Sequence, residues 1–164
     1  MNVSVRPEAE GDAASIHRLH AAAFPTDAEA RLVDSLRGAG KAVVSLVGAS
    51  GERVVGHVLF SPVSPGRGLG LAPIAVLPEF QKRGIGAALI EEGIETCRKA
   101  QFGFLVVLGV PGYYTRFGFR RAVDLGLENE YGARDEFMVL ELRPGGLAGV
   151  RGLVKYAAEF AVFG

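Results

Sequence analysis

The 164-residue sequence contains one cysteine, Cys97, no tryptophan and no excess of charge of either sign. A single cysteine excludes an internal disulfide and a zinc site built from several thiolates, and it fits the reducing cytoplasm. Because 18 Lys and Arg residues balance 18 Asp and Glu residues, the composition gives no electrostatic reason to expect nucleic acid or a membrane as a partner. We therefore expect a cytoplasmic protein that binds any anion through a local site.

Long apolar runs and metal-binding motifs are also missing. No stretch approaches the roughly 20 apolar residues of a membrane span, and the first residues, MNVSVRPEAEGD, lack the apolar segment of a signal peptide. His17 and His20 lie three residues apart in a predicted helix. Since no HExxH motif or nearby set of carboxylates accompanies them, we expect no metal.

The chain is 49% hydrophobic, which is enough apolar surface for one compact domain with a core. Short β-rich segments alternate with segments whose apolar residues recur at helical spacing. The predicted strands are 3–6, 42–49, 53–63, 71–76, 102–110 and 137–142, and the predicted helices follow Asp12, Asp27 and Gly84. This order predicts a mixed α/β (α+β) fold with an antiparallel meander, a loop at 64–70 and a right-handed strand–helix–strand crossover.

The most informative segment is AVLPEFQKRGIGAAL, from Ala75 to Leu89. It places Gly84 and Gly86 at the start of a helix, where glycine costs about 1 kcal/mol relative to alanine. Bare backbone at a helix N-terminus lets phosphate oxygens approach converging N–H groups, which the helix dipole makes favourable for an anion. Just upstream, Pro73 lies inside a predicted central strand. Proline cannot donate to a sheet ladder, so it argues either against the strand or for a bulge, and a bulge would leave backbone groups open to an extended ligand.

The complete phrase resembles the acyl-CoA-binding motif of the GNAT superfamily of N-acetyltransferases, [QR]-x-x-G-x-[GA], here Gln81-x-x-Gly84-x-Gly86. A second resemblance is GYYTRFGF at 112–119, since these enzymes carry a tyrosine four residues before Gly-Phe. The opening strand with RPE, the two helices and the hairpin also fit. The resemblance covers about 3–142 and implies a GNAT-like fold, in which a twisted, mostly antiparallel sheet flanked by helices is splayed at the acyl-CoA site.

The resemblance also implies a co-substrate, acetyl-CoA, and a set of site residues. Main-chain groups of the strand before Pro78 would bind the pantetheine arm, and the following loop would bind the pyrophosphate. Tyr114 would lie beside the thioester sulfur and protonate the departing thiolate; the alternatives are that Tyr114 is a core residue or that Tyr113 is the acid. The implied cofactor-binding residues are Ile74, Ala75, Val76, Gln81, Lys82, Arg83, Gly84, Ile85, Gly86, Ala87 and Tyr114.

The sequence departs from the family pattern at the general base. Relatives that acetylate peptides often carry a glutamate on the strand before the tyrosine, whereas the strand FLVVLGV here contains no acid. We expect no single dominant base and a proton path through water. His57 is the first candidate contributor, because strand alternation places it on one face with Ser61, and Glu29 is the second. The alternatives are a hydrogen-bonded packing role for His57 and a position on a helix face for Glu29.

The resemblance implies an enzyme that moves acetyl from acetyl-CoA to a primary amine of a small molecule or protein by direct attack in a ternary complex. Two alternatives stay open: a non-catalytic acyl-CoA-binding or sensing module on the same fold, and a nucleotide-binding domain with a coincidental loop. We treat 1–164 as a single acetyltransferase domain with a core at 3–142. The apolar extension 145–164 is expected to dock on the body or on a second chain, which leaves a homodimer open.

Overall fold

The computed structural model describes residues 2–163, and within them a seven-stranded sheet separates two groups of helices. The strands are β1 (Ser4–Pro7), β2 (Val44–Ser50), β3 (Arg53–Val63), β4 (Gly68–Val76), β5 (Phe104–Leu108), β6 (Arg120–Arg121), β7 (Leu127–Asn129), β8 (Phe137–Glu141) and β9 (Gly152–Val154). The α-helices are α1 (Ala13–Ala23), α2 (Ala28–Gly38), α3 (Ile85–Lys99) and α4 (Pro111–Tyr114). Four 3₁₀ turns cover Pro78–Phe80, Thr115–Phe117, Ala122–Leu125 and Ala158–Phe163.

The large sheet has the strand order β1-β2-β3-β4-β5-β8-β6. Its neighbouring strands are antiparallel except for β4 and β5, which run parallel and are connected through α3. The predicted mixed α/β fold with a mostly antiparallel central sheet flanked by helices is therefore confirmed. The meander β2–β3–β4 and the crossover into β5 follow the predicted chain order.

The two faces of the sheet are covered by different helices. Successive residues of a strand point to opposite faces, and on β3 the ring of His57 contacts His20 of α1. The neighbouring Gly56 faces α3, since a Cβ built there would lie 3.1 Å from side-chain atoms of Ile85 and Leu89. The helix α2 packs on α1. The first helix pair and α3 thus enclose the sheet from opposite sides.

The C-terminal segment packs on the body of the same chain. Strand β9 pairs in parallel with β7, and Ser64 and Lys155 exchange backbone hydrogen bonds of 3.0 and 2.8 Å. The 3₁₀ turn at Ala158–Phe163 packs against α2, and Lys41 Nζ lies 2.9 Å from Glu159 Oε1. This segment therefore packs against α2, against Lys41 after the end of α2, and against the turn between β3 and β4.

Two local predictions need correction. Residues 68–70, predicted as part of a loop, begin β4, and glycine is needed there for packing. A Cβ at Gly68 would lie 2.3 Å from the ring of Phe104, and one at Gly70 would lie 2.7 Å from the ring of Tyr156. Asp12 precedes α1 as predicted but makes no side-chain cap bond, because its carboxylate accepts hydrogen bonds from Arg6 and from the Ala9 N–H.

Two negative findings concern the described part of the chain. Within residues 2–163, no three His, Cys, Asp or Glu side chains are grouped so that they could hold a metal ion. No helix in the same range is both long and apolar enough to cross a bilayer.

Candidate active site

The candidate site begins where two neighbouring strands separate. Strand β4 pairs with β5 only over Gly68–Gly70 and Phe104–Val106. Beyond that point β4 continues alongside β3, and β5 continues alongside β8. Within residues 2–163, the main chain of β4 from Leu71 onward therefore has no strand neighbour on its β5 side. The sheet opens into a wedge that points towards the start of α3.

A bulge in β4 lies at the opening. The register with β3 shifts between Val58 and Phe60, so that Ala72 and Pro73 together oppose one residue of β3. The predicted bulge at Pro73 is confirmed, and its physical reason is that proline has no N–H to donate to a regular ladder.

Backbone alternation decides which residues of β4 present main-chain groups to the wedge. The Leu77 N–H donates to the Val55 carbonyl at 2.9 Å, so the pair Ala75 and His57, two residues earlier, is also a hydrogen-bonded pair. Ile74 and Val76 then turn their N–H and carbonyl groups towards the wedge. Of the three residues predicted to bind pantetheine, Ala75 turns its main-chain groups towards β3 instead.

The start of α3 has the geometry of an anion site. Gly84 precedes the helix with φ +81°, and Lys82 has φ +64°, a left-handed conformation that is uncommon outside glycine. The Ala88 N–H donates to the Gly84 carbonyl at 3.0 Å and is the first N–H bonded within the helix, so the N–H groups of Ile85, Gly86 and Ala87 have no helical acceptor. These donors, together with the helix dipole, favour a phosphate group.

Gly86 faces open space and not the packed interior. A Cβ built at Gly86 would meet only the hydroxyl of Tyr113, at an ordinary 3.6 Å, whereas one at Gly93 on the same helix would lie 2.5 Å from the ring of Phe60. Helix–sheet packing therefore accounts for Gly93 and leaves Gly86 unexplained. The space in front of the Gly86 backbone is open apart from the Tyr113 hydroxyl.

A cavity of about 330 Å³ lies in front of this turn and is lined by Gln81, Lys82, Gly86, Tyr113 and Arg116, among others. Gln81 Nε2 donates to the Val76 carbonyl at 3.0 Å, which ties the loop to the end of β4. Arg116 was missed from the sequence; its guanidinium lies 4.6 Å from the centre of the Tyr113 ring. Arg83 stacks over Phe80 at 5.4 Å beside the same turn.

The adjacent tyrosines of α4 face different cavities. Tyr113 lines the cavity at the start of α3, and Tyr114 lines a second cavity of about 350 Å³ on the other side of the wedge. Their rings meet edge to face with centroids 5.2 Å apart. The geometry thus separates the predicted acid, Tyr114, from the tyrosine that lies above the anion site.

Tyr114 is held in an apolar position. It is 8% exposed, and burial, with a smaller effect of Tyr113, raises the pKa of its hydroxyl to about 12. A Cβ at Gly109 would lie 2.3 Å from Tyr114 Cε2. Gly109 therefore allows the ring to lie against the end of β5, a requirement that the sequence pattern did not indicate.

The second cavity has aromatic walls and is completed by the C-terminal segment. The bulge of β4 and the end of β5 form one side of it. The aromatic residues that line it are Phe24, Tyr114, Tyr131, Tyr156, Phe160 and Phe163. The only charged side chain among its lining residues is Glu29 at the start of α2.

His57, the predicted contributor to proton transfer, is fully buried beneath α1. Its Nδ1 lies 2.8 Å from His20 Nε2, and its Nε2 lies 2.8 Å from Ser45 Oγ. The Ser45 hydroxyl donates to Glu8 at 2.6 Å, so it accepts from His57 Nε2–H, and His57 Nδ1 accepts from His20 Nε2–H. Arg37 holds the same Glu8 carboxylate through two nitrogens.

The two histidines of this hydrogen-bonded series, His20 and His57, are held neutral. Burial lowers the pKa of His20 to about 4, and burial and the neighbouring His20 lower the pKa of His57 well below its usual value. Neither ring is among the lining residues of the two cavities. His20 stacks on Phe24 at 6.0 Å, and Phe24 does line the aromatic cavity. The histidines therefore reach that cavity only through a side chain that they support.

Comparisons with known proteins agree with this geometry. The sequence profile of the Acetyltransferase (GNAT) family matches residues 13–119. The uncharacterized N-acetyltransferase YhbS of Escherichia coli K12 is 37% identical over an alignment 165 positions long, which covers 97% of this chain and 99% of the relative. The crystal structure of E. coli YhbS in complex with CoA gives a TM-score of 0.94 at 35% identity, covering 100% of this chain and 94% of that one. A GNAT acetyltransferase of Brucella melitensis in complex with acetyl-CoA gives 0.82 at 34% identity, covering 97% and 98%.

Proposed function

This chain belongs to the GNAT family of acetyltransferases, and on that premise we propose that it transfers an acetyl group from acetyl-CoA to a primary amine in a ternary complex. The observation that carries the proposal is the wedge between β4 and β5. It lies between the N–H groups at the start of α3 and the ring of Tyr114. An extended thioester laid along β4 reaches both.

The proposed cofactor site is made mostly of backbone. The N–H groups of Ile85, Gly86 and Ala87 bind the pyrophosphate, supported by the charges of Lys82 and Arg116. The main-chain N–H and carbonyl groups of Ile74 and Val76 hydrogen-bond to the pantetheine arm, which takes the place of a neighbouring strand. Gln81 fixes the loop to the end of β4, Arg83 adds positive charge beside it, and Ala75 and Gly84 hold the backbone in shape. Two related proteins of known structure were crystallised with CoA or acetyl-CoA, which supports this assignment.

The proposed chemistry needs one acid on the cofactor side. The amine nitrogen attacks the thioester carbon, the C–N bond forms and the C–S bond breaks. A main-chain N–H in the wedge stabilises the negative charge that develops on the carbonyl oxygen. Tyr114 gives its proton to the departing thiolate and recovers one from the attacking nitrogen. Because the pKa of Tyr114 is raised to about 12, the hydroxyl is protonated at neutral pH.

The proton that an ammonium must lose before attack goes to water in this proposal. His57 is shielded from both cavities and bonded through both ring nitrogens, so we assign it a positioning role through His20 and Phe24. Its contribution to the rate is then indirect. The reaction as a whole releases one proton to the solvent.

We propose that the enzyme works in the cytoplasm, where acetyl-CoA is made and used. We also propose that residues 1–164 form one acetyltransferase domain. Residues 145–164 belong to that domain because they supply three aromatic walls of the second cavity.

The test compares Tyr114→Phe with Tyr113→Phe. A positioned acid contributes typically 10²- to 10⁴-fold, so Tyr114→Phe is expected to lower kcat by about that factor while the Kd of acetyl-CoA stays within twofold. Tyr113→Phe removes the hydroxyl of the neighbouring tyrosine. It is the matched control and is expected to retain most of kcat. CoA release with an amine panel gives the rates, and calorimetry gives the Kd.

Two outcomes contradict the proposal. If the protein binds acetyl-CoA but releases no CoA with any amine, the result would favour the alternative of a non-catalytic acyl-CoA-binding module. Binding of ATP in competition with acetyl-CoA at similar affinity would indicate a nucleotide site instead.

A further inference from the structure

The aromatic cavity carries two buried polar atoms that the fold leaves without partners. They are Glu29 Oε1 and Tyr156 Oη, and neither has a hydrogen-bond partner within residues 2–163. Both side chains line this cavity. An unpartnered buried polar group costs about 1–3 kcal/mol, and such groups are uncommon in folded proteins. Two of them in one cavity indicate a ligand that supplies the missing partners.

The two atoms require different ligand groups. Glu29 is the only charged residue among those lining the cavity, and a carboxylate among apolar walls is stabilised by a cation. Tyr156 is 7% exposed, and burial raises the pKa of its hydroxyl, so this group is a neutral donor and acceptor. The ligand therefore carries a positive charge at one point and a polar group at another.

The walls determine what connects these points. Beyond Glu29, the walls include six aromatic side chains and the apolar residues Leu32, Leu71 and Val107. A flat apolar body packs well between aromatic rings, and a ring pair contributes about 0.5–1.5 kcal/mol beyond the burial of area. A polyamine or an aminosugar would lose hydration there without replacement.

Resting on the proposed acetyl transfer, we propose that the acceptor is a primary amine on a short chain attached to an aromatic ring. Its ammonium group pairs with Glu29, the ring lies between the aromatic side chains, and a polar ring substituent hydrogen-bonds to Tyr156. Glu29 is a specificity-determining residue and Tyr156 distinguishes between substituted rings. The C-terminal segment thereby takes part in choosing the acceptor.

The test measures CoA release with acetyl-CoA and a matched set of amines: phenethylamine, tyramine, n-butylamine, spermidine and glucosamine. The two aromatic amines are expected to give at least tenfold higher kcat/KM than the others. Glu29→Gln is expected to raise KM for both aromatic amines at least tenfold and to leave the Kd of acetyl-CoA unchanged. Asp27→Asn is the matched control, because it removes the same charge at an exposed position two residues away.

Tyr156→Phe gives a second, independent readout. It is expected to lower kcat/KM for tyramine about fivefold and to leave phenethylamine within twofold, because only tyramine carries the ring hydroxyl. A change that merely disturbed packing would affect both amines equally.

The proposal is overturned if spermidine, glucosamine or butylamine is the best acceptor, or if Glu29→Gln and Asp27→Asn behave alike. Should no amine release CoA, calorimetry of phenethylamine with the CoA-saturated protein decides. If phenethylamine binds and its binding is at least tenfold weaker in Glu29→Gln, the proposed class of ligand is supported and acetyl transfer is refuted. No binding refutes the ligand class.

Discussion

The buried histidine pair makes the stability of this protein depend on pH. In the folded state burial lowers the pKa of His20 from 6.5 to about 4, with smaller opposing effects of Asp34 on one side and of His17 and Arg37 on the other. The unfolded chain therefore binds more protons than the folded one between these two values. Stability is present in full above pH 6.5 and is lost as the pH falls towards 4.

The size of the effect follows from the two pKa values. At pH 5 the unfolded histidine is almost fully protonated and the folded one is mostly neutral. The linkage relation then gives a loss of about 2 kcal/mol for His20 between pH 8 and pH 5. His57 shifts in the same direction and adds to the loss.

Urea denaturation at pH 8, 6.5 and 5 measures this loss for the parent protein and for His20→Gln. A glutamine amide nitrogen occupies nearly the place of the Nε2 that donates to His57, but it does not titrate. The variant is expected to lose about 2 kcal/mol less than the parent over this range. Equal losses in the parent and His20→Gln would refute the argument.

Three further perturbations test other parts of the structure. Gly86→Val places a branched side chain in front of the anion site, and calorimetry is expected to show acetyl-CoA binding at least tenfold weaker, about 1.4 kcal/mol, with an unchanged circular dichroism spectrum. Gly109→Ala displaces the ring of Tyr114 and is expected to lower kcat at least tenfold with cofactor Kd within twofold, whereas Gly112→Ala, whose added methyl meets no atom within 4 Å, leaves kcat unchanged. Phe160→Ala removes a 5% exposed ring, and urea denaturation is expected to show a loss of about 3 kcal/mol.

The central part of the fold could be predicted because its signals are local. The helix after Gly84 has a long apolar stripe, the strand at 102–110 is continuously apolar, and Pro73 marks a bulge within the sequence itself. The loop prediction failed at 68–70 for a different reason. Glycine is required there because the rings of Phe104 and Tyr156 pack against the backbone. Both residues are distant in the chain, so no local sequence pattern indicates this requirement.

The candidate site divides in the same way. The anion turn is one continuous segment, so its motif is readable, and the family resemblance drawn from it is confirmed. Arg116, Gly109 and Tyr156 reach the site only through tertiary packing. The partner of His57 is 37 residues away on α1, and strand alternation alone could not distinguish a buried pair from a group facing substrate.

The two cavities differ in whether main-chain groups or side chains form them, and this difference has an evolutionary consequence. A cradle of main-chain N–H groups depends on backbone shape, and many amino acids produce the same shape. The aromatic cavity depends on the identity of individual side chains drawn from α2, the strand ends and the C-terminal segment. Descendants of one ancestor can therefore diverge widely in the second region while inheriting the first unchanged. Under the proposed function, exchanging C-terminal segments between relatives is a short mutational route to new acceptors, because it rebuilds one wall of the aromatic cavity and leaves the proposed cofactor site intact.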